Sequence, residues 1–199
     1  MSVLRNWFGP SRSEIWRQLS GKMGARYAEG GFARSDRVDV AHEEWIITLD
    51  CYHNAATKST YTRLSVPYTN PDAFQFSIYR KSIFSDLGKR LGMQDIDVEH
   101  AQFDDDFIIK GNDESKVRAL FASRAVREQL DAQKDVHLSI DSGSSWFNRA
   151  MPPRTDRLVF EVPGTIKDMD RLEQLFAVMA VTIDQLCDIG SAYALRPGE

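Results

Sequence analysis

The chain has 199 residues, 42% of them hydrophobic and 27% charged, a balance that excludes a disordered chain and supplies apolar surface for a sizeable core. Its formal charge of −4 and pI near 5.6 exclude a global positive field for nucleic acid or anionic lipid. Cys51 and Cys187 lie far apart and share no motif, which predicts reduced thiols in a cytoplasmic protein.

The opening residues lack the apolar core and cleavage site of a signal peptide. No run approaches the ~18 uninterrupted apolar residues of a membrane span. Val3, Leu4, Trp7 and Phe8, cut off by Gly9-Pro10, fit a terminal segment docked on the core or on a second subunit. "SRSEIWRQLSGKMGARYAEGGF" then predicts the first helix. Ile15, Trp16, Leu19, Met23 and Tyr27 form its apolar stripe, Ser11 or Ser13 caps its start, and Gly30 stands just past its end.

The period next changes. "EEWIITLDCYH" alternates, with Trp45, Ile47, Leu49 and Cys51 on one face and Ile46, Thr48, Asp50 and Tyr52 on the other. "RVDVAH" before it, and "TKSTYTRLSVPY" and "FQFSIYR" after it, complete an expected four-strand antiparallel meander. "NAAT" makes a hairpin turn, and Pro67 and Pro71 punctuate the last connection. "SIFSDLGKRLG" returns to helical spacing between Ser82 and Gly92.

"DFIIKG" reads as a strand, followed by a helix beginning near Asn112 or Asp113 with Val117, Leu120 and Phe121 on its inner face. That phase fails beyond Ser123, where Val126 and Leu130 take over, so two consecutive helices are expected. "DVHLSIDSGSSWF" reads as strand, turn and strand, and "RLVFEVPG" as another strand beyond Pro152-Pro153. The last helix, "TIKDMDRLEQLFAVMAVTIDQLCDIG", is expected to start at a Thr165–Asp168 capping box and stop at Gly190. Leu172, Leu175, Phe176, Met179, Ile183 and Leu186 are its stripe, widened by Val178, Val181 and Cys187. Meanders with helices set apart indicate an α+β fold built on antiparallel sheet, with the N-terminal helix and the long C-terminal helix packed on it. One domain is expected over 1–199; any subdivision falls near 92–101.

Four groups invite chemistry. Asp95, Asp97, Glu99, Asp104, Asp105 and Asp106 offer oxygen ligands for calcium or magnesium. On a strand, however, Asp95, Asp97 and Glu99 would stand at roughly 6.8 Å steps, a row of charges rather than a chelate. Asp104 to Asp106 read as the solvated lip of the next strand. Cys51 and His53 share a strand face, as a nucleophile–base pair would, but a half-buried packing thiol beside a loop histidine fits better. Arg118, Arg124 and Arg127 make no helical stripe. Arg149, Arg154 and Arg157, near Trp146 and Phe147, are the nearest approach to a basic–aromatic patch, read as an exposed loop. No catalytic, cofactor-binding or metal-ligating residue is assigned.

At Phe103, Asp104, Phe107, Ile109, Gly111 and Asp113 the chain resembles a family of uncharacterised bacterial proteins that carry F-D-x-x-F-x-[IV]-x-G-x-[DN]. The resemblance spans roughly residues 100–145 and implies a bacterial origin and an α+β fold, but no catalytic residues. The expectation is therefore a non-catalytic domain that binds or assembles with a partner protein or with itself. A second reading is a carrier or sensor of a small apolar ligand held between sheet and C-terminal helix. A third is a carboxylate- or metal-dependent hydrolase using the Asp104 region.

Overall fold

A computed structural model describes residues 10–31, 35–83, 95–142 and 154–195. In chain order these form α1 (Arg12–Met23), β1 (Arg26–Ala28), β2 (Arg37–His42), β3 (Trp45–Asn54), β4 (Ser59–Thr69) and β5 (Phe76–Arg80). After them come α2 (Ala101–Asp106), β6 (Phe107–Gly111), α3 (Glu114–Ala122), α4 (Arg124–Asp131), β7 (His137–Asp141), β8 (Thr155–Pro163) and α5 (Met169–Asp188). The strands make one eight-stranded sheet in the order β1-β2-β3-β4-β8-β7-β5-β6, antiparallel at every junction. The fold is α+β.

Side-chain alternation divides this sheet into two faces. Partners across the strands place Ile109, Ile78, Leu138, Phe160, Leu64, Leu49 and Val38 in one continuous row, and all of them are buried. The helices cover this face. α5 lies against β3, β4 and β8, and α1 against β1 and β2. The stripe of α5 is buried as expected at Leu172, Leu175, Phe176, Met179, Ile183 and Leu186, while Val181 and Cys187 stay half-exposed. The alternation of β3 is also as expected: Trp45, Ile47, Leu49 and Cys51 face the core, and Ile46 is 48% exposed.

Several expectations are corrected. The first helix ends at Met23, because Gly24 adopts the left-handed conformation (φ 63°) that stops it; Tyr27 belongs to β1 rather than to a helical stripe. Ser11 is the N-cap, in a reciprocal capping box with Glu14. The meander has four strands, but its fourth is β1 at the start and not β5 at the end. β2, β3 and β4 follow one another, but β4 then pairs with β8, and β5 lies between β7 and β6. Pro67 does not punctuate the chain after β4. It sits inside that strand, opposite Arg157, beyond Ser65 where the pairing with β3 ends, the position at which a missing N–H leaves no ladder bond unmade.

In the second half, the joint at Ser123 between α3 and α4 is as expected. Asp168 itself caps α5 by accepting from the Arg171 N–H, so Thr165 lies outside the helix. Asp104, Asp105 and Asp106 belong to a short helix, α2, and not to a strand lip. Asp95 makes one isolated bridge to Lys110 instead of opening a strand. Of the helix expected between Ser82 and Gly92, only the first residues are described, in a 3-10 turn over Lys81–Ile83; its remainder, the strand after the Gly143 turn, the N-terminal apolar segment, and Trp146, Phe147 and Arg149 lie outside the described residues.

Candidate functional site

The face of the sheet turned away from the helices carries a second row. Lys110, Ser77, Ser139, Val159, Ser65, Thr48, Asp39 and Arg26 are partners across all eight strands. Over β5, β7, β8 and β4 this row consists only of serine and valine, so it lies low. Long side chains stand on either side of it. On one side are Tyr79, His137, Glu161 and Arg63; on the other, Arg157 and Asp141. Small residues between large ones make a trough of about 400 Å³, lined also by Gln75 and Phe76. It crosses the strands rather than running along them.

Ion pairs hold the walls in place. Arg63 forks onto Asp50 at 2.9 and 2.6 Å and lies 4.9 Å over the Tyr52 ring. The Tyr52 hydroxyl donates to Glu161 at 2.8 Å. Burial, and then the charge of Glu161, push the Tyr52 phenol far up, so it stays a donor. Opposite, Arg157 bonds Asp141 at 2.6 Å. Arg157 Nε–H is buried without a hydrogen-bond partner among the described residues. Burial pushes the Tyr79 phenol up, and its hydrogen bond with Ser77, two residues along, offsets part of that push.

His137 stacks on Tyr79 at 4.6 Å between centroids and its Nδ1 stands 3.5 Å from Glu161. Burial holds the imidazole below its ordinary value of 6.5, with the Glu161 charge pulling the other way. The unfolded chain therefore takes up a proton near pH 6.5 that the folded chain still refuses, and stability falls as pH drops through that range. His137→Gln is expected to flatten urea midpoints between there and about pH 4, where carboxylates begin to protonate. Below that, a second decline should remain. Burial raises Asp36, Asp39 and Asp72, yet their hydrogen bonds outweigh it and leave all three lowered. A slope unchanged by His137→Gln would show that the imidazole titrates freely.

The row holds the residue types of a serine–histidine–acid relay but not its geometry. No hydrogen bond joins His137 to Ser77 or Ser139 among the described residues, whereas nucleophile and base must meet within about 3.2 Å.

The acids behave differently from a metal site. Asp104 accepts from the N–H groups of Val98 and His100, both at 2.9 Å, and Asp95 from Ile109 N–H at 2.9 Å. Asp106 reaches toward Arg80 at 3.5 Å, and Glu99 pairs with Arg118 at 2.7 Å. Among the described residues no three His, Cys, Asp or Glu side chains gather to hold an ion. Asp104→Ala is expected to cost about 1.5–3 kcal/mol, as for hydrogen bonds to a charged group. Asp105→Ala, on an exposed side chain, should stay within about 0.5 kcal/mol. Millimolar calcium or magnesium should leave the wild-type thermal midpoint unchanged; an upward shift would make the cluster a metal site.

The other groups fall apart in space or are already engaged. Cys51 is 8% exposed; its sulfur faces Thr62 Oγ1 at 3.8 Å, and burial pushes the thiol up, away from the thiolate. His53 is exposed at the strand's end. Arg118 also pairs with Glu114, Arg124 pairs with Glu128, and Arg127 donates to the carbonyls of Phe121 and Ala122 that end α3. A second hollow of about 480 Å³ lies at the start of α5, with Lys134, Lys167 and Arg171 around it. Asp168 already occupies that helix end and Asp135 pairs with Arg171 at 2.9 Å.

The F-D-x-x-F-x-I-x-G-x-D stretch is structural. Phe103, Phe107 and Ile109 are core residues, and Asp104 and Asp113 bond backbone N–H groups. At Gly111 a Cβ would meet Val117 Cγ2 at 2.5 Å, so only glycine lets β6 pass under α3.

The trough is invisible in the sequence because no motif marks it. Ser65, Ser77 and Ser139 each read as an unremarkable polar alternate in a strand. Compared with known proteins, the chain matches no protein family, no curated protein and no solved structure.

Proposed function

We propose that the chain is a non-catalytic binding domain of the cytoplasm whose recognition site is the trough across the open face of its sheet. The observation that carries this reading is the aligned row of Ser77, Ser139 and Val159 between walls of long side chains, which leaves a trough of about 400 Å³. A concave site is what a small ligand needs, and walls held by ion pairs reduce the ordering cost of binding. Two free thiols support the cytoplasmic part, and no helix among the described residues is long and apolar enough to cross a membrane. The trough lies on the face of the sheet away from α5, not between sheet and helix, and both polar and apolar side chains line it.

The test is retention. Protein is incubated with a polar metabolite extract, freed of unbound solutes, and its released contents are weighed by mass spectrometry beside those of Ser139→Trp, which fills the trough. Circular dichroism confirms that the variant folds, and Arg157→Gln replaces it if it does not. A compound kept by the wild type and lost from the variant supports the reading. Equal retention by both, or none by either, overturns it. A wild type that sediments as a dimer and a Ser139→Trp that sediments as a monomer would make the face an assembly surface instead.

A further inference from the structure

We infer that His137, Glu161 and Tyr52 form a pH-sensitive latch in one wall of the trough: a proton taken up by His137 draws Glu161 toward it and loosens the Tyr52 contact, so that this wall shifts in mild acid. The latch stands on its own geometry; its bearing on binding rests on the reading of the trough as the recognition site. Register supplies the geometry. Tyr79 is the cross-strand partner of His137. Antiparallel pairing of β7 with β8 brings Glu161, one residue beyond the Leu138–Phe160 pair, next to His137. Glu161 is in turn the partner of Arg63, and Arg63 of Asp50. His137, Glu161, Arg63 and Asp50 therefore cross four strands as one row, and a protonated imidazole extends its alternation of charge by one. His137 is the member whose charge can change between pH 5 and 8.

Glu161 is shared between two partners. Its Oε1 accepts from the Tyr52 hydroxyl at 2.8 Å, while its Oε2 stands 3.5 Å from His137 Nδ1, a separation at which a neutral ring gains little. Protonation makes Nδ1 a charged donor beside a carboxylate. Such a bond is shorter, about 2.7–2.9 Å, and roughly twice as strong as one between neutral groups, so the gap closes. The ring is not free to make the whole movement. It is stacked on Tyr79 with centroids 4.6 Å apart, and the Tyr79 phenol is itself hydrogen-bonded to Ser77. Glu161 moves instead, and the pull falls on its contact with Tyr52. Tyr52 carries Arg63 over its ring at 4.9 Å, which passes the movement to a residue that lines the trough. Among the described residues, the titratable groups facing the imidazole are Tyr79 from β5 and Glu161 from β8, with Tyr52 of β3 and Arg63 of β4 behind Glu161. Burial opposes the proton and the Glu161 charge favours it.

The experiment titrates the four histidine rings of the full chain by NMR, with His137→Gln identifying the His137 signal. Glu161→Gln removes the charge beside the ring and should lower the proton affinity of His137 at least about fivefold, the effect of a unit charge ~4 Å away even at the dielectric of water. Tyr52→Phe frees Glu161 and should raise that affinity, which a tyrosine with only a packing role would not do. The backbone amide of Tyr52 should titrate with the His137 midpoint in the wild type and cease to do so in His137→Gln. β8 and β4 separate β3 from β7 in the sheet, so the Tyr52 amide reports the latch and not a neighbour in the chain. Both substitutions nearly preserve side-chain size, and circular dichroism checks the fold; if Glu161→Gln unfolds, Tyr52→Phe decides. A His137 midpoint unmoved by Tyr52→Phe, or a Tyr52 amide indifferent to His137, would overturn the latch. A failed retention experiment would overturn the binding site and leave these titrations standing, so the two failures are distinct.

Discussion

Phe176→Ala is expected to lower the free energy of unfolding by about 3–5 kcal/mol, a large part of the 5–15 kcal/mol that holds a typical domain together. Phe176 sits mid-stripe on α5 and is 3% exposed in the isolated chain, on the helix that lies against β3, β4 and β8. Truncation removes a ring's worth of buried apolar surface, and neighbours fixed in a sheet can close the resulting void only in part. The measurement is a denaturant curve paired with a sedimentation mass. A lowered midpoint at unchanged mass is the expected pair. A near-normal curve with an altered mass would show that α5 is an interface, and no change in either would mean that the helix does not hold the sheet.

Trp16→Ala is expected to cost a similar amount, about 3–5 kcal/mol. Trp16 is fully buried, on the helix that covers β1 and β2. Its indole N–H donates to the Ile166 carbonyl at 3.2 Å, in the segment between β8 and α5. One side chain thus ties the first helix to the start of the last. Trp16→Phe separates the two contributions. It keeps most of the apolar contact but leaves the Ile166 carbonyl without its donor, and should cost about 1–3 kcal/mol. Equal losses for both variants would place the whole effect in the hydrogen bond. A loss below about 0.5 kcal/mol for Trp16→Ala would mean that α1 is dispensable.

Both helices can be read directly from residue order, and so can much of the sheet. Trp45, Ile47, Leu49 and Cys51 alternate because a strand presents every second residue to one face, and the α5 stripe recurs at helical spacing because one side of a helix must be covered. Both patterns are local and survive without knowledge of partners. The break at Ser123 is legible for the same reason, since two apolar phases cannot share one straight helix. The role of Asp104 is not legible, because a carboxylate that bonds the N–H groups of Val98 and His100 has the same sequence neighbourhood as one that stands in solvent.

The sequence by itself determined the class of fold, the residues of its core and the absence of a recognisable catalytic motif. Only the tertiary structure decided that β4 turns to β8 instead of β5, because cross-strand pairing is a contact between distant segments that periodicity does not encode. That pairing also makes the site. Ser77, Ser139, Val159 and Ser65 come from four strands, and one residue's slip in any register would send its member of the row into the core. The trough is thus a property of strand order and register: small residues become a cavity floor only when the fold lines them up beside large ones.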